Sequence, residues 1–251
     1  MGKISVVGIG PGSKDDMTYR AHRTIEEATA VVGYSRYIQL IADLVEGKKV
    51  LDTGMTQEID RCRAALEEAA AGENVVVISS GDAGIYGMAG LVLELLMKMD
   101  EDKRPAFGGV IPGVSAMSAA AGLLGAPIMH DFAVISLSDL LTPWELIQER
   151  AELAAKGDFV TVLYNPRSHK RVGQIQAVQE IFLRERAPET PVGIVTSASR
   201  EGENMVISTL GAFTKEDINM FSIVIIGNSK TKQNGQWMIT PRGYQKREPG
   251  L

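Results

Sequence analysis

A glycine-rich segment directly after an apolar run places the strongest constraint on what this chain can fold into. Residues 75–78 (Val-Val-Val-Ile) are typical of a buried strand, and the apolar residues 91–97 have helical character. Between them, at 79–89, lies Ser-Ser-Gly-Asp-Ala-Gly-Ile-Tyr-Gly-Met-Ala. A strand that passes through glycines into a helix predicts an open α/β sheet, in which ligands bind at the carboxyl ends of the strands.

Asp82 is the only charged residue between Ser79 and Glu94. Asp often caps the N-terminus of a helix, so one interpretation is a helix that begins near Ala83 with Asp82 as its cap. The other interpretation is a contact from this loop to a bound ligand. The two roles are compatible, and both stay open at this point.

Strands and helices alternate through the first half of the chain, which predicts a parallel sheet with helices on both faces. The strands are expected at 3–9, 30–34, 49–53, 75–78 and 104–111. Strands lie closer together after residue 131, which predicts a mixed sheet there. We therefore expect an α/β fold class with two α/β domains, an N-terminal one at 1–114 and a C-terminal one at 115–251.

Composition and charge argue against several classes of function. The net charge of −5 gives no bulk attraction to nucleic acid or to an anionic membrane. Cys62 is the single cysteine, and the three histidines lie far apart in sequence. We expect neither a disulfide framework nor a metal site. No run of 18 apolar residues occurs, so we expect a cytoplasmic protein without a membrane segment.

A second glycine-rich segment, Gly-Ile-Gly-Pro-Gly-Ser at 8–13, follows the first strand. It resembles part of a dinucleotide fingerprint. A nicotinamide site would also need an acidic residue for the ribose at the end of the next strand, where Gly33-Tyr34-Ser35 stands instead. A tight turn that lines a cleft is the better interpretation.

The segment 142–145 (Thr-Pro-Trp-Glu) has the pattern of a helix start. Thr142 is expected at the N-cap, Pro143 at the first helical position, and Glu145 closes a capping box.

A basic segment follows the strand at 159–164, with the sequence Asn-Pro-Arg-Ser-His-Lys-Arg at 165–171. One interpretation is a solvated basic loop before the next helix. The other is recognition of carboxylates, for which Arg167 offers a bidentate fork.

No nucleophile–base pair, Gly-x-Ser-x-Gly segment or pair of catalytic carboxylates stands out in the sequence. A chain with glycine-lined strand ends and few catalytic groups suits a reaction driven by a reactive cofactor, which the protein positions. Methyl transfer from S-adenosylmethionine is one such reaction.

Three segments resemble, in order, the motifs of the tetrapyrrole (corrin/porphyrin) methyltransferases. They are Val-Gly-Ile-Gly-Pro-Gly at 7–12, Gly-Asp-Ala-Gly-Ile-Tyr-Gly at 81–87, and Pro-Gly-Val-Ser-Ala at 112–116. Residues 135–145 and 163–168 resemble the branch of cobalamin biosynthesis that methylates C17 of precorrin-3B or cobalt-factor III. With Ala83, the segment 81–87 resembles the enzyme of the cobalt-first, anaerobic pathway more than its oxygen-dependent relative.

The resemblance implies a homodimer of two-domain chains, with S-adenosylmethionine in the cleft between the domains. The cofactor would contact Pro11, Ser80, Gly81, Asp82, Ile85, Ser115, Ala116, Asn165 and Ala198. The tetrapyrrole would lie near Gly10, Gly12, Ser13, Ser138, Arg167, His169 and Arg171. The C17 branch also contracts the macrocycle, which requires proton movement; the candidates are His130, Asp131 and Asp139.

His130 is the first of these candidates because an imidazole titrates near neutrality. A helix-end or interdomain hydrogen bond is the competing interpretation. Three other functions also stay open: methylation of precorrin-4 or of a protein histidine, non-catalytic carriage of a tetrapyrrole, and nicotinamide-dependent oxidoreduction.

Overall fold

A computed structural model of the protein describes residues 2–54 and 57–244. The chain divides into two compact units, Met1–Ala116 and Met117–Leu251. The placement of a cofactor cleft stays a prediction.

The first unit is built on a five-stranded sheet with the order β3-β2-β4-β1-β5, in which every pair of neighbouring strands is parallel. The predicted parallel sheet is therefore confirmed. Its strands are β1 Lys3–Gly8, β2 Ala30–Tyr34, β3 Lys49–Thr53, β4 Asn74–Ser79 and β5 Ala106–Ile111. Its helices are α1 Tyr19–Glu26, α2 Ser35–Leu40, α3 Glu58–Ala70 and α4 Ala89–Met97.

Side chains of the central strands alternate between two separate cores, one on each face of this sheet. On β4, Val75 and Val77 pack into one core, whereas Val76 and Ile78 pack into the other. Successive side chains of a strand point to opposite faces, and both faces of this sheet are covered by helices. This double burial explains why residues 75–78 form an unbroken apolar run.

The second unit contains a five-stranded sheet with the order β10-β9-β11-β8-β7. Its strands are β7 Phe132–Ser136, β8 Val160–Tyr164, β9 Pro191–Thr196, β10 Asn204–Thr209 and β11 Ser222–Ile226. β7 and β8 are parallel, β11 is antiparallel to β8 and β9, and β10 forms an antiparallel hairpin with β9. The predicted mixed sheet is confirmed.

Three helices and a small third sheet complete the second unit. The helices are α5 Ala116–Leu124, α6 Trp144–Lys156 and α7 Gln174–Leu183. The third sheet has the order β12-β13-β6 and comprises β6 Gly125–Ala126, β12 Lys232–Asn234 and β13 Trp237–Ile239. Phe182 and Phe213 are fully buried in the main core, against which Trp144 also packs.

Both helix starts predicted from capping patterns are wrong. Helix α4 begins at Ala89, seven positions after Asp82, so Asp82 does not cap it. Helix α6 begins at Trp144 with Pro143 as its N-cap, and no side chain of the described residues caps it. Pro143 has ψ 139°, an extended backbone, and this postpones the first helical residue by one position.

Candidate functional site

The loops that follow β1 and β4 are joined backbone to backbone at the carboxyl edge of the first sheet. Gly10 and Gly81 form an isolated antiparallel bridge, with N–H to carbonyl distances of 3.1 and 2.7 Å. Both residues are in the left-handed region, at φ +81° and +66°. Glycine is the residue that adopts this conformation at no steric cost, so the bridge accounts for both glycines.

The loop after β5 joins the same junction through Gly113. A Cβ atom at this position would lie 2.2 Å from the carbonyl oxygen of Gly81 and 2.6 Å from that of Gly8. The backbone N–H of Gly113 donates to Oδ2 of Asp82 at 3.0 Å, and Oδ1 of Asp82 accepts from Gly84 at 2.8 Å. Three strand ends are thus held together, and Asp82 lies among them.

Most candidate cofactor residues of the first unit lie on these three loops. Residues of the loop after β5 approach Gly81 closely: a Cβ atom on Gly81 would lie 3.4 Å from the nitrogen of Ala116 and 3.8 Å from the Cα of Ser115. Ser115 is buried, at 5% exposure. The structure therefore brings together Pro11, Ser80, Gly81, Asp82, Ser115 and Ala116, with Ile85 on the same loop as Asp82.

Ser13 has a local structural role. Its Oγ accepts a hydrogen bond of 3.1 Å from the backbone N–H of Asp15 and caps the short 3₁₀ helix Lys14–Asp16. Gly10 and Gly12, the neighbouring candidates for substrate contact, precede this cap in the loop after β1.

The second sheet also gathers candidate residues at one edge. β7 is parallel to β8, and β8 and β9 are both antiparallel to β11, so β7, β8 and β9 run in the same direction. Their carboxyl ends lead into the segments that contain Ser138 and Asp139, Asn165 to Arg171, and Ala198. The family resemblance implied this grouping, and the common direction of the three strands gives it a structural basis.

Non-glycine residues with a left-handed backbone concentrate in the candidate cofactor loops. Five non-glycine residues of the described ranges have positive φ, between 51° and 58°, and Asp158 is the one outside these loops. The other four are Tyr86, Asn165, Ser197 and Ser199. Such conformations are uncommon for non-glycine residues, least so for asparagine, and they cluster at functional sites.

Asn165 is anchored at both of its polar ends. Its side-chain Nδ2 donates to Oγ of Ser136 at 3.0 Å, and its carbonyl oxygen accepts from Nη2 of Arg171 at 3.0 Å. Nη1 of Arg171 lies 3.9 Å from Oδ1 of Asp139, whose Oδ2 accepts from Nε2 of Gln174 at 2.9 Å. These contacts tie the loop after β7 to the loop after β8.

Arg167 is directed toward the protein. Its Nη2 donates to the carbonyl oxygen of Thr214 at 3.4 Å. When the Gln176 amide is oriented by its hydrogen-bonding partners, its oxygen accepts from the same Nη2 at 3.0 Å. His169 and Lys170 are the exposed basic residues of this loop. The segment therefore divides into two anchored guanidinium groups and two exposed basic groups.

The structure does not bring His130 and Asp131 to the other candidates of the second unit. They precede β7, whereas Asp139 follows it. The carbonyl of Asp131 accepts from the backbone N–H of Val160, at the amino end of β7. The five residues of β7, at about 3.3 Å each, therefore separate Asp131 from the carboxyl ends of the strands. Nδ1 of His130 accepts from the backbone N–H of Asp131 at 2.9 Å, and the imidazole is 45% exposed.

Tyr164 is a residue that the sequence reasoning missed. Its hydroxyl oxygen accepts a hydrogen bond of 3.0 Å from the backbone N–H of Met117, in the first turn of α5. A tyrosine at the last position of a buried strand was the available signal, because its hydroxyl reaches beyond the sheet edge.

The described residues contain no group of three or more His, Cys, Asp or Glu side chains that could hold a metal ion. Among the helices of the described ranges, none combines the length and apolar character needed to cross a membrane.

Residues 3–214 match the family model of the tetrapyrrole (corrin/porphyrin) methylases. The chain belongs to this family. The matched range contains every candidate site residue from Gly10 to Ala198, and it covers most of both units.

Two relatives extend the comparison within the tetrapyrrole methylases. A Salmonella typhimurium protein named probable cobalt-factor III C(17)-methyltransferase is 50% identical over 243 residues, which cover 96% of this chain and 99% of that protein. The cobalt-factor III methyltransferase of Priestia megaterium is 49% identical over 98% of this chain. This chain spans only 46% of the Priestia protein.

Solved structures of tetrapyrrole methylases have the same fold. The methyltransferase CobJ superposes with a TM-score of 0.90 at 38% identity, over 96% of this chain and all of CobJ. A uroporphyrin-III C-methyltransferase from Thermus thermophilus, crystallised with S-adenosylhomocysteine, superposes with a TM-score of 0.69 at 24% identity, over 90% of this chain and 97% of that one. The second likeness concerns the fold alone.

Proposed function

We propose that this tetrapyrrole methylase transfers a methyl group from S-adenosylmethionine to C17 of cobalt-factor III or precorrin-3B, with contraction of the macrocycle, in cobalamin biosynthesis. The observation that carries the proposal is the end-to-end match to the Salmonella protein, at 50% identity. The two groups of loops at strand ends support it, because they contain the motif residues that resemble the C17 branch.

The loops of the first unit fit an adenosyl cofactor. The carboxylate of Asp82 uses one acceptor position on each oxygen for Gly84 and Gly113. A carboxylate has about four such positions, so Asp82 keeps capacity for a hydroxyl or ammonium donor of the cofactor. Ser80, Gly81 and Ser115 add backbone groups beside it. We propose that these residues, with Pro11, Ile85 and Ala116, hold the cofactor in the first unit.

In the second unit, Asn165 and Ala198 are the proposed cofactor contacts. Both lie on loops with left-handed backbones at the carboxyl edge of the sheet. S-adenosylmethionine supplies a methyl group that its sulfonium charge activates. The task of the protein is to fix the position of the acceptor carbon relative to that methyl group and to exclude water.

The tetrapyrrole substrate carries several carboxylates, and we propose that exposed groups of the second unit meet them. His169 and Lys170 are exposed, whereas Arg167 and Arg171 direct their guanidinium groups to backbone carbonyls. Ser138 lies on the adjacent loop and offers a hydroxyl donor. The Gly10–Ser13 loop is the proposed contact in the first unit.

Proton transfer during ring contraction has three candidates. Asp139 shares the carboxyl edge of the second sheet with Asn165 and Ser138, whereas His130 and Asp131 lie at the opposite edge. We therefore place Asp139 nearest to the proposed substrate contacts.

The decisive experiment mixes the purified protein with methyl-labelled S-adenosylmethionine and cobalt-factor III without oxygen, followed by mass spectrometry. We expect one labelled methyl on a ring-contracted product. Precorrin-3B and precorrin-4 in parallel reactions identify the preferred acceptor. If no tetrapyrrole yields S-adenosylhomocysteine, the proposal is wrong. A carrier would instead bind the macrocycle without binding the cofactor.

We also propose that the chain acts as a homodimer in the cytoplasm. The dimer is expected from the family resemblance alone, and light scattering on the purified protein tests it. A mass near 27.1 kDa would indicate a monomer, whereas twice that mass would indicate the dimer.

A further inference from the structure

We infer that Arg171 is a positioning residue: it fixes the backbone of Asn165, and through it the cofactor site, and does not bind the substrate directly. The inference rests on the proposed function in one respect, namely that Asn165 contacts S-adenosylmethionine. Four observations carry it, from the conformation of Asn165 outward.

The conformation of Asn165 is restrained by its contacts. Its φ of +51° lies in the left-handed region, which asparagine adopts more readily than most residues but less readily than glycine, so contacts that favour this conformation help to fix it. Two hydrogen bonds supply that restraint, one from its Nδ2 to Ser136 and one to its carbonyl from Arg171. The bond from Arg171 comes from a charged donor, and such bonds are about twice as strong as neutral ones.

The guanidinium of Arg171 is largely buried and is held by contacts within the protein. Its side chain is 11% exposed, and its Nε is buried without a hydrogen-bond partner in residues 2–54 and 57–244. Of its terminal nitrogens, Nη2 holds the carbonyl of Asn165, and Nη1 faces Asp139. Because the side chain is only 11% exposed, little of the guanidinium is accessible to a substrate carboxylate while these two contacts hold.

Asp139 contacts the guanidinium of Arg171 from the loop after β7. One of its oxygens lies 3.9 Å from Nη1 of Arg171, and the other accepts from Gln174, in the first turn of α7. Asp139 thereby offsets the charge of Arg171 and fixes its orientation. The contacts thus link Ser136 to Asn165, Asn165 to Arg171, and Arg171 to Asp139. Asp139 lies three residues after Ser136 in the sequence, so the contacts form a closed ring.

The two residues before Arg171, His169 and Lys170, differ from it in exposure and in their contacts. Within residues 2–54 and 57–244, His169 and Lys170 take no part in this hydrogen-bond network, and both are exposed to solvent. These two residues are better placed to meet a polycarboxylate, so the basic segment separates into a substrate-facing part and a part that shapes the cofactor loop.

The test measures the Kd of S-adenosylhomocysteine by isothermal titration calorimetry, without any tetrapyrrole. Arg171→Met keeps most of the side-chain volume, and Arg171→Lys keeps the charge but loses the fork. We expect both variants to bind S-adenosylhomocysteine about tenfold more weakly, because the left-handed Asn165 is no longer held. Tetrapyrrole binding, followed by absorbance in the absence of cofactor, should change by less than about twofold.

A second pair of variants separates positioning from a general loss of structure. Glycine adopts the left-handed conformation at no steric cost, so in the Asn165→Gly protein this conformation needs no hydrogen bond from Arg171. Adding Arg171→Met to Asn165→Gly should therefore raise the Kd of S-adenosylhomocysteine little further. Arg184→Met is the matched control: Arg184 is 65% exposed on the end of α7 and pairs only loosely with Glu152, at 3.7 Å. Its Kd should equal that of the unmodified protein.

Two results would overturn the inference. One is an unchanged Kd for S-adenosylhomocysteine in both Arg171 variants, especially with weakened tetrapyrrole binding, which would make Arg171 a substrate contact. The other is an equal loss in the Asn165→Gly background, which would show that Arg171 does not act through Asn165. If the unmodified protein binds no S-adenosylhomocysteine, the proposed function itself fails, and this outcome is separate from the other two.

Discussion

Asp82 and Gly113 are joined by a hydrogen bond of 3.0 Å, from the backbone N–H of Gly113 to Oδ2 of Asp82. The bond connects the loops after β4 and β5, which flank β1 in the sheet. The other oxygen of Asp82 accepts from Gly84 within its own loop. Asp82 therefore shapes the edge of the first sheet in addition to any contact with a ligand.

This relationship predicts a stability cost for Asp82 variants. Asp82→Ala removes both acceptors and should lower the free energy of unfolding by about 1–3 kcal/mol. Asp82→Asn keeps one acceptor oxygen and should cost less. Urea unfolding followed by circular dichroism measures both values. Asp102→Ala, at an exposed position, is the control and should stay within about 0.5 kcal/mol. Equal stability of Asp82→Ala and the control would contradict the prediction.

A pair of glycine variants tests the backbone junction. Gly113→Ala places a Cβ 2.2 Å from the carbonyl oxygen of Gly81, and backbone on both sides prevents relief. We expect a loss of several kcal/mol, or failure to fold, because overpacking of this kind costs about 1–3 kcal/mol even where side chains can move. Gly122→Ala lies in α5 with open space and should stabilise by up to about 1 kcal/mol. Thermal unfolding of both variants provides the measurement. A Gly113→Ala protein as stable as the unmodified one would contradict the close approach of the loops at Gly113.

The sequence predicted the sheets well because their signal is local. Unbroken apolar runs such as 75–78 identify strands buried on both faces, and parallel strands align their carboxyl ends. The grouping of Asp82 with the Gly10 and Gly113 loops follows from that order alone. The position of His130 was also accessible, since a residue before β7 and one after it must lie at opposite edges.

The errors concern features that depend on backbone angles and on side-chain direction. The motif at 142–145 has the composition of a capping box, but ψ of Pro143 decides where α6 begins. Likewise, the basic composition of 165–171 is visible in sequence, whereas the turn of Arg167 and Arg171 toward backbone carbonyls depends on tertiary contacts. Composition thus located the site but did not assign the role of each cation.

Burial of Cys62 predicts a specific pH dependence of stability. Loss of hydration raises the pKa of this thiol to about 11, an effect that nearby Arg61 partly opposes. In the unfolded chain the thiol loses its proton near pH 9.0, so above that pH the unfolded state binds fewer protons than the folded state. Stability should then fall as the pH rises from 9.0 toward about 11, by at most about 1.4 kcal/mol per pH unit.

Cys62→Ala isolates this contribution, because all other titrating groups are common to both proteins. The difference in unfolding free energy between the two proteins should change with pH above about pH 9 and stay constant below it. Urea unfolding at several pH values provides the data. The thiol should also resist alkylation in the folded protein at neutral pH. Rapid alkylation, or a pH-independent difference, would contradict the burial of Cys62.

His130 provides the sharpest test of the proton chemistry. A general acid or base contributes about 10²- to 10⁴-fold to the rate, so His130→Asn should reduce kcat by that factor if the imidazole moves the proton. Its position at the amino edge of β7, away from Asp139 and Asn165, leads us to expect a change of less than about threefold. His22→Asn is a matched control, since His22 is likewise 45% exposed and faces a carboxylate, that of Glu26.

The measurement is kcat for methyl transfer and for ring contraction, taken separately, with the Kd of S-adenosylhomocysteine as a check on folding. A large loss of ring contraction in His130→Asn, with an unchanged Kd and an unaffected His22→Asn, would restore His130 as the proton carrier. It would also mean that the substrate reaches the amino edge of the second sheet. A small effect leaves the carboxyl edge, with Asp139 and its neighbours, as the place where the macrocycle exchanges protons.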